Sequence, residues 1–258
     1  MKIHQIYTDS VLRNFTYVIE LKNKSGYVID PWDAKQSQQF LTENNIKLRA
    51  IINTHEHWDH VQGNQELVDT YHCEVWAHAK GQGKIPGLSR LLQAEEKIQL
   101  SDNCSIEILD TPGHSQAHLC FIVYHNNIAE YIFTGDILFN AGVGNCHGGN
   151  VEDMYTTIQE KFESLADDII ILPGHDYLEN NLNFTLNREP SNIDANIWLN
   201  KYKQSDVYIK PLQTTMADER KINTFFRLDN KEIINNLSEN VSSQKDVFIS
   251  LRALRDKW

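Results

Sequence analysis

The segment Thr54–His60 reads T-H-E-H-W-D-H and concentrates imidazoles and a carboxylate that could bind metal ions. His55 and His57 are two residues apart after a predicted strand, so in an extended chain both side chains point to the same side. Asp59 and His60 follow the turn and can face a neighbouring point. Imidazole nitrogens combined with a carboxylate oxygen suit zinc or iron. The segment therefore predicts a metal site, against the alternative that these are scattered surface histidines.

Further ligand-type residues occur later in the chain, each directly after a glycine in a loop that follows a predicted strand. They are His114 in T-P-G-H-S, Asp136 in F-T-G-D and His175 in L-P-G-H. A glycine lets the backbone turn sharply and aim the next side chain. A lone histidine after a turn is usually an ordinary polar residue, but three such loops beside one H-x-H-x-D-H motif form a specific combination. We therefore predict that these residues complete the metal site.

The predicted elements place these loops at the ends of strands. Strands are predicted at Lys2–Tyr7, Phe15–Glu20, Gly26–Asp30, Leu48–Asn53, Glu74–Ala77, Ser105–Leu109, Leu119–Tyr124, Ile128–Phe133 and Asp168–Leu172. Helices are predicted from the N-cap Asp33 to Asn44 and at Val61–Tyr71, Glu152–Leu165, Leu178–Arg188, Ile193–Tyr202 and Gln244–Lys257. Strand-rich blocks with a few helices, and with reactive residues in the loops, suit a layered α+β sandwich whose site lies along one edge.

The character of the sequence changes after Pro173, where Asn, Lys and Glu become more frequent and β-rich runs disappear. We therefore predict a domain boundary near residue 176. Residues 1–176 would form a catalytic domain, and residues 177–258 would form a helical domain that binds substrate.

Composition excludes several classes of partner. The chain has 258 residues and a net charge of −11, which disfavours binding to the anionic backbone of a nucleic acid. No apolar run reaches the roughly 18 residues of a membrane-spanning helix, and the N-terminus shows no signal peptide. Among the four cysteines there is no CxxC pair. We expect a cytoplasmic monomer with reduced thiols and without nucleic-acid or membrane partners.

Taken together, H-x-H-x-D-H followed by G-H, G-D and a final G-H resembles the signature of the metallo-β-lactamase superfamily. The resemblance implies an αββα sandwich that holds two divalent metal ions, with zinc expected and iron or manganese as alternatives. It implies that one ion is held by His55, His57 and His114, that the other is held by Asp59, His60 and His175, and that Asp136 bridges them. Asp59 would also orient the attacking hydroxide.

The later part of the chain resembles the hydroxyacylglutathione hydrolase (glyoxalase II) family. Four segments carry this similarity: G-H-D-Y-L-E-N-N-L-N-F at Gly174–Phe184, E-P-S-N at Glu189–Asn192, A-D-E-R-K-I-N-T-F-F-R at Ala217–Arg227 and L-R-A-L-R-D-K-W at Leu251–Trp258. The resemblance implies that the glutathione site is lined by Tyr177, Asn181 and Phe184 and that the glutathione carboxylates meet Arg252 and Arg255. A guanidinium binds a carboxylate with two hydrogen bonds, so these roles are chemically reasonable.

One loop departs from that family. Its members have a G-x-G-K-x-Y-like stretch, whereas Gly142–Gly149 reads G-V-G-N-C-H-G-G. Asn145 stands in the place of the lysine and His147 in the place of the tyrosine. We therefore expect these two residues to contact the substrate tail with one positive charge fewer than in a typical member.

The resemblance implies a metal-dependent thioester hydrolase, with S-(2-hydroxyacyl)glutathione such as S-lactoylglutathione as the substrate. A thiolate leaves readily, so a thioester suits a site without an evident general acid. A second hypothesis is another hydrolase of the same fold, or an enzyme like a persulfide dioxygenase, acting on a different substrate. A third hypothesis, a binding protein without turnover, is disfavoured because all seven ligand positions are filled.

Overall fold

Two β-sheets form the centre of the protein, whose computed structural model describes residues 1–237 and 241–258. The first sheet contains β1 (Lys2–Tyr7), β2 (Phe15–Glu20), β3 (Ser25–Ile29), β4 (Lys47–Ile52), β5 (Glu74–His78) and β6 (Leu88–Leu92). These strands lie in sequence order. The first three pair antiparallel and the last four pair parallel, so the sheet is mixed.

The second sheet contains β7 (Lys97–Ser101), β8 (Cys104–Asp110), β9 (Leu119–His125) and β10 (Ile128–Gly135), and it ends with a strand from later in the chain. A short hairpin of β11 (Leu138–Phe139) and β12 (Gly142–Val143) follows β10, and β13 (Ile170–Pro173) completes the sheet. The strand order is β13-β10-β9-β8-β7. Only the pairing of β10 with β13 is parallel among these neighbours.

Helices occupy the outer faces of the sheets and most of the C-terminal region. They are α1 (Ala34–Glu43), α2 (Trp58–Val61), α3 (Asn64–Tyr71), α4 (Val151–Thr157), α5 (Leu178–Arg188), α6 (Ile193–Lys203), α7 (Met216–Ile222), α8 (Lys231–Asn235) and α9 (Gln244–Arg255). A π-helical turn continues α4, and short 3-10 turns occur at Ala79–Gly81 and Thr224–Phe226. Asp33 caps α1 as predicted, because its carboxylate accepts the backbone N–H groups of Lys35 and Gln36.

The alternation of side chains along the strands builds three apolar layers. In β2, Tyr17 and Ile19 enter the core between the two sheets, whereas Val18 packs on the other face against Leu41 of α1. The outer face of the second sheet packs against α4 and α9, with Phe248 among the buried residues. Helix, sheet, sheet and helix therefore stack in that order, which confirms the predicted αββα sandwich with a C-terminal helical region.

The helix predicted over Val61–Tyr71 is wrong in its extent. A separate helical turn, α2, already begins at Trp58, and α3 begins only at Asn64. His57 keeps an extended backbone at the start of this turn, and the amide of His60 donates to its carbonyl oxygen at 3.0 Å. The turn changes the direction of the chain between His57 and Asp59.

Other elements escaped the sequence analysis. The strands β6 and β7 were not predicted, although K-I-Q-L-S in β7 alternates as a half-buried strand does. The short helices α7 and α8 were also missed. Among the residues that the structure describes, no helix has the length and apolar character required to cross a membrane.

Candidate metal centre

The seven ligand-type residues predicted from the sequence meet at one edge of the sandwich. The four segments that carry them follow the carboxyl ends of β4, β8, β10 and β13. Asp59 and His60 lie in α2, directly after the extended His55 and His57. The strands thus bring together residues that are far apart in the sequence.

The first group, here called the first trio, consists of His55, His57 and His114. Nδ1 of His57 lies 3.0 Å from Nε2 of His55 and 2.9 Å from Nε2 of His114. Ligand nitrogens at about 2.0–2.1 Å from a tetrahedral zinc ion are about 3.3 Å apart. The spacing of the first trio therefore fits ligation of one metal ion.

The second trio consists of Asp59, His60 and His175. Oδ2 of Asp59 lies 3.4 Å from Nε2 of His60 and 3.4 Å from Nε2 of His175. The two imidazole nitrogens are 3.2 Å apart. These distances are suitable for binding a second metal ion, as those of the first trio are for binding one.

Asp136 lies between the two trios. Its Oδ2 is 3.0 Å from Nε2 of His175 and 3.6 Å from Nε2 of His114. Its Oδ1 is 3.3 Å from Nε2 of His60, yet it is buried and has no hydrogen-bond partner among the described residues. A buried carboxylate oxygen without a donor is costly, and a cation held between the trios would satisfy it.

Hydrogen bonds on the outer sides of the rings determine which nitrogen carries the lone pair. Nδ1 of His114 faces the carbonyl oxygen of Asn145, and Nδ1 of His175 faces that of Leu12, both at 2.8 Å. A carbonyl oxygen can only accept, so each Nδ1 donates and each Nε2 presents a lone pair to the centre. The Nε2 lone pairs therefore face the centre with no proton between them. A bound metal ion requires this arrangement of its ligands.

Asp30, directly after β3, orients two of the ligand rings and was not singled out from the sequence. Its Oδ2 accepts the Nδ1 proton of His60 at 2.9 Å and the hydroxyl proton of Thr54 at 2.5 Å. The Thr54 oxygen is then free to accept the Nδ1 proton of His55 at 3.0 Å. The sequence did contain a signal for this role. Asp30 is an acidic residue directly after β3, and β3 pairs parallel with β4, so the two strands end at the same edge of the sheet.

His118 supports Asp136 through the backbone. Its ring is fully buried, and its Nε2 accepts the amide proton of Asp136 at 3.1 Å. Its Nδ1 faces the hydroxyl of Thr111 at 2.8 Å. Burial lowers the pKa of His118 well below its ordinary value, which keeps the ring neutral and able to accept.

The charges of the cluster suit metal ligation. Burial lowers the pKa of His55 and of His114, so both rings are neutral, as ligands must be. Burial alone would lower the pKa of His60 and raise that of Asp136. Asp136 and Asp30 instead raise the pKa of His60 well above its ordinary value, and His175 and His60 hold the pKa of Asp136 well below its own. The Asp136 carboxylate is therefore ionised. A metal ion bound here would displace the ring proton that this pairing favours.

Two of the glycines that precede ligand residues act in different ways. Gly135 has a φ of +45°, so it provides the left-handed backbone that turns Asp136 inward. Gly174 is required for space, because a Cβ there would collide with Oδ1 of Asp136 and lie 2.7 Å from Cε1 of His60. From the sequence, only a role in turning the backbone was expected for both glycines.

A cleft of about 310 Å³ adjoins the metal centre on the side of the C-terminal helices. Its lining includes Phe139, Asn145, Tyr177, Asn180, Arg252 and Arg255. The ring of Tyr177 stacks on that of His175 with a centroid distance of 4.9 Å, so the cleft begins at the second trio. Burial raises the pKa of Tyr177 well above its ordinary value, which keeps its hydroxyl protonated.

The two arginines of α9 have different surroundings. Arg252 is only 5% exposed, and its guanidinium donates to the carbonyl oxygens of Val143 and Gly144 at 2.9 and 2.8 Å. Arg255 donates to Oδ1 of Asn181 at 3.0 Å. Burial lowers the pKa of both arginines, but a guanidinium remains charged at neutral pH.

The remaining residues predicted to bind substrate do not share this cleft. Asn181 and Phe184 are 1% and 2% exposed and lie beneath its floor, where the Asn181 amide donates to the carbonyl oxygen of Asn140 at 3.0 Å. His147 lines a neighbouring hollow of about 250 Å³. Arg252 and Asp256 contribute to both spaces and separate them.

Sequence comparison defines the class of protein to which this sandwich and its ligand cluster belong. Residues 10–175 match the sequence profile of the Metallo-beta-lactamase superfamily, and residues 176–258 match the profile named Hydroxyacylglutathione hydrolase C-terminus. The fold is similar to that of ETHE1 from Myxococcus xanthus, with a TM-score of 0.68, 20% identity and coverage of 99% of this chain and 98% of that one. The chain is thus a member of the metallo-β-lactamase superfamily.

Full-length relatives narrow the assignment. The chain is 40% identical to a hydroxyacylglutathione hydrolase of Nitrosococcus oceani and 38% identical to one of a Polaromonas species. Both alignments cover all of this chain and all of the relative. This protein belongs to the hydroxyacylglutathione hydrolase family.

Proposed function

We propose that this protein hydrolyses S-(2-hydroxyacyl)glutathione thioesters, with S-lactoylglutathione as the leading substrate, to glutathione and a hydroxy acid. The observation that carries the proposal is a pair of ligand trios bridged by Asp136 beside a cleft lined by Arg252 and Arg255. The cluster suits hydrolysis of an acyl bond, and the cleft suits an anionic tail. The full-length relatives support the same activity.

In this proposal His55, His57 and His114 would hold one divalent ion, the second trio would hold the other, and Asp136 would contact both. The nitrogen-rich ligand sets favour zinc, with iron or manganese as alternatives. Bound ions of this kind lower the pKa of water to near neutrality and polarise a substrate carbonyl.

Asp59 has a second proposed role besides ligation, which is to orient the attacking hydroxide. Its carboxylate belongs to the second trio and has a fixed donor in Asn14, whose amide nitrogen lies 2.9 Å from Oδ2. The water oxygen forms the new bond to the carbonyl carbon. The carbon–sulfur bond then breaks, and sulfur leaves with the electron pair as a thiolate, so no side chain has to supply a proton to the leaving group.

The tail of the substrate would lie in the cleft. Tyr177, Arg255 and Asn145 line this cleft, and their hydroxyl, guanidinium and amide groups would bind the tail. Asn181 and Phe184 would act from beneath, since Asn181 holds Arg255 and Phe184 packs under the floor. Arg252 would have two roles. It would attract a carboxylate of the substrate, and it would support the loop at Val143 and Gly144.

We also propose that residues 1–176 and 177–258 act as the catalytic and substrate-binding parts of a cytoplasmic monomer. The ligand trios lie in the first part, and Arg252, Arg255 and Tyr177 come from the second. No nucleic-acid or membrane partner is proposed.

A second candidate is a related enzyme of the same fold that acts on a different thioester, on another ester or on a persulfide. The observation that favours it is the loop with Asn145 and His147, which presents no cation where the family has a lysine. A mononuclear iron content would favour the persulfide oxygenase.

Metal analysis and thioester assays on the purified protein test the proposal together. We expect close to two transition-metal ions per chain and hydrolysis of S-lactoylglutathione that a chelator abolishes. A folded protein without bound metal, or one with a single iron that consumes oxygen with a persulfide, would overturn it.

A further inference from the structure

The N-terminal segment Thr8–Asn14 lies against one of the two trios. We propose that this segment positions the second trio selectively and that Asn14 is the positioning residue for Asp59. The inference rests on the proposed metal centre, and it concerns a residue that belongs to neither trio.

Asn14 is 1% exposed and directs its amide at Asp59. Its Nδ2 donates to Oδ2 of Asp59 at 2.9 Å and to the backbone oxygen of Asp59 at 3.1 Å. The same Oδ2 is the carboxylate atom that faces His60 and His175 at 3.4 Å. The amide therefore fixes the carboxylate in the rotamer that completes the second trio.

Asn14 is itself held firmly. Its Oδ1 accepts the hydroxyl proton of Ser10 at 2.6 Å, and its backbone oxygen accepts from the amide and the hydroxyl of Thr8. These bonds leave the Nδ2 group of Asn14 pointing toward Asp59, since the amide oxygen is already used. The orientation of the amide is thus determined by the segment rather than by the metal ligand.

The same segment holds the other end of the second trio. The backbone oxygen of Leu12 accepts the Nδ1 proton of His175 at 2.8 Å. Arg13 binds Asp176, the residue after His175. Its Nε donates to the backbone oxygen of Asp176 at 2.9 Å, and its Nη2 donates to the Asp176 carboxylate at 2.5 Å. Both Asp59 and His175 are therefore supported from one short stretch of chain.

The first trio has different supports. Among the described contacts, His55 bonds to Thr54 and His114 to the backbone of Asn145, and neither bonds to the segment Thr8–Asn14. A change at Asn14 should consequently weaken one metal site and spare the other. A purely structural role would affect both sites alike, through the fold.

The size of the effect follows from the chemistry of the contact. A hydrogen bond to an ionised carboxylate stabilises more than a neutral one, and loss of an outer partner of a metal ligand typically weakens metal binding by about 10- to 100-fold. Asn14→Leu preserves volume and removes the donor.

The test is a zinc titration of the metal-free full-length protein against a chromophoric chelator, which yields a dissociation constant for each site. The variants are also made in two backgrounds. His114→Ala disables the first trio, and His175→Ala disables the second. We expect Asn14→Leu to raise the dissociation constant by about 10- to 100-fold in the first background and to leave it within about threefold in the second.

Two further variants separate positioning from folding. Ser10→Ala keeps Asn14 but frees its amide, so it should weaken the same site by a smaller factor even if Asn14→Leu fails to fold. Asn192→Leu removes another buried amide, one that bonds to Glu189 and to the backbone of Lys221 far along the chain. It should lower the unfolding midpoint of the metal-free protein without distinguishing the two sites.

Failure of the positioning role can be distinguished from failure of the metal centre. If the parent binds two ions and Asn14→Leu and Ser10→Ala weaken both sites equally or neither, the positioning role is wrong and the proposed function stands. If the parent binds no zinc at all, the metal centre and this inference fail together.

Discussion

Asp136 lies between the two trios, with Oδ2 within 3.6 Å of a ring nitrogen of His114 and of His175, so its removal should affect both proposed metal ions. Replacing it with alanine deletes the bridge between His114 and His175. We expect Asp136→Ala to lower the metal content and to reduce kcat by about 100-fold or more, because the proposed activation of water would depend on the ions that Asp136 helps to hold. Elemental analysis and steady-state kinetics measure both quantities.

The matched control for this variant is Asp110→Ala, which removes a carboxylate at the end of β8 that belongs to neither trio. It should retain the metal content and most of the rate. A full complement of metal and unchanged kcat in Asp136→Ala would contradict the bridging role.

Asn145 offers a test of the substrate at the scale of one residue. It lines the cleft as a neutral amide, and its backbone oxygen holds His114. A charge-assisted contact with a glutathione carboxylate is worth roughly 1–3 kcal/mol, or about 5- to 150-fold in affinity. We therefore expect Asn145→Lys to lower KM for S-lactoylglutathione.

The same position supplies its own controls. The gain should shrink at high salt because the contact is exposed to solvent. Thioesters of smaller thiols should not benefit. His147→Tyr changes a residue of the neighbouring hollow and should leave KM nearly unchanged. If the parent already has a low-micromolar KM and Asn145→Lys changes nothing, this loop has no bearing on the substrate.

At the scale of elements, α9 carries both predicted substrate arginines, but they should give different results. Arg255→Ala should raise KM for an anionic thioester and leave kcat nearly unchanged, because a remote contact made equally in ground and transition states affects binding only. Arg252→Ala should raise KM as well and also lower the unfolding midpoint. Its guanidinium holds the carbonyl oxygens of Val143 and Gly144 in a buried position.

Thermal unfolding measured beside the kinetics distinguishes the two arginines. Lys203→Ala, at the exposed end of α6, is the control for removal of a positive charge and should change neither quantity. Unchanged KM in both α9 variants would mean that these arginines do not contact the substrate.

At the scale of the whole molecule, Glu219 of α7 joins the C-terminal helices to the loop after β11. Its fully buried carboxylate accepts the amide proton of Ala141 at 3.0 Å, the hydroxyl proton of Thr214 at 2.6 Å and an amide proton of Asn223 at 2.8 Å. Burial raises the pKa of Glu219 to about 7 from an ordinary value of 4.5. The folded protein therefore binds this proton more tightly than the unfolded chain does.

The raised pKa of Glu219 makes the folded protein less stable as the pH rises. A raised carboxyl pKa contributes stability that is fully present below about pH 4.5 and is lost as the pH rises through about 7, which amounts to about 3 kcal/mol. Glu219→Gln carries no titrating proton, so its free energy of unfolding should lack this component. Urea unfolding of the metal-free parent and variant at pH 5, 6 and 7 measures the difference.

Glu179→Gln removes an exposed carboxyl from α5 and should leave the pH dependence of the parent intact. A parallel decline of parent and Glu219→Gln between pH 5 and 7 would show that Glu219 does not titrate there. The network also gives a structural reason for part of the C-terminal similarity, since Glu219 and Asn223 both belong to the segment Ala217–Arg227.

The sequence by itself determined which residue types could bind metal and where they stand relative to strands. His55, His57 and His114 could be proposed as ligands because ligand chemistry is a property of the side chain, and their meeting could be expected because residues after strand ends meet at a sheet edge. The αββα sandwich followed from the recognisable motif rather than from periodicity. Periodicity alone did not show that α2 interrupts the helix predicted over Val61–Tyr71.

Only the tertiary structure decided what surrounds those ligands. Asn14 meets Asp59 across 45 residues, and Leu12 meets His175 across 163. No local pattern encodes such pairs, because they exist only once both sheets have packed and brought distant loops to one edge. The same packing buried Phe184 beneath the cleft instead of within it. Identity of the ligands is thus local chemistry, whereas their orientation depends on the packing of the whole chain.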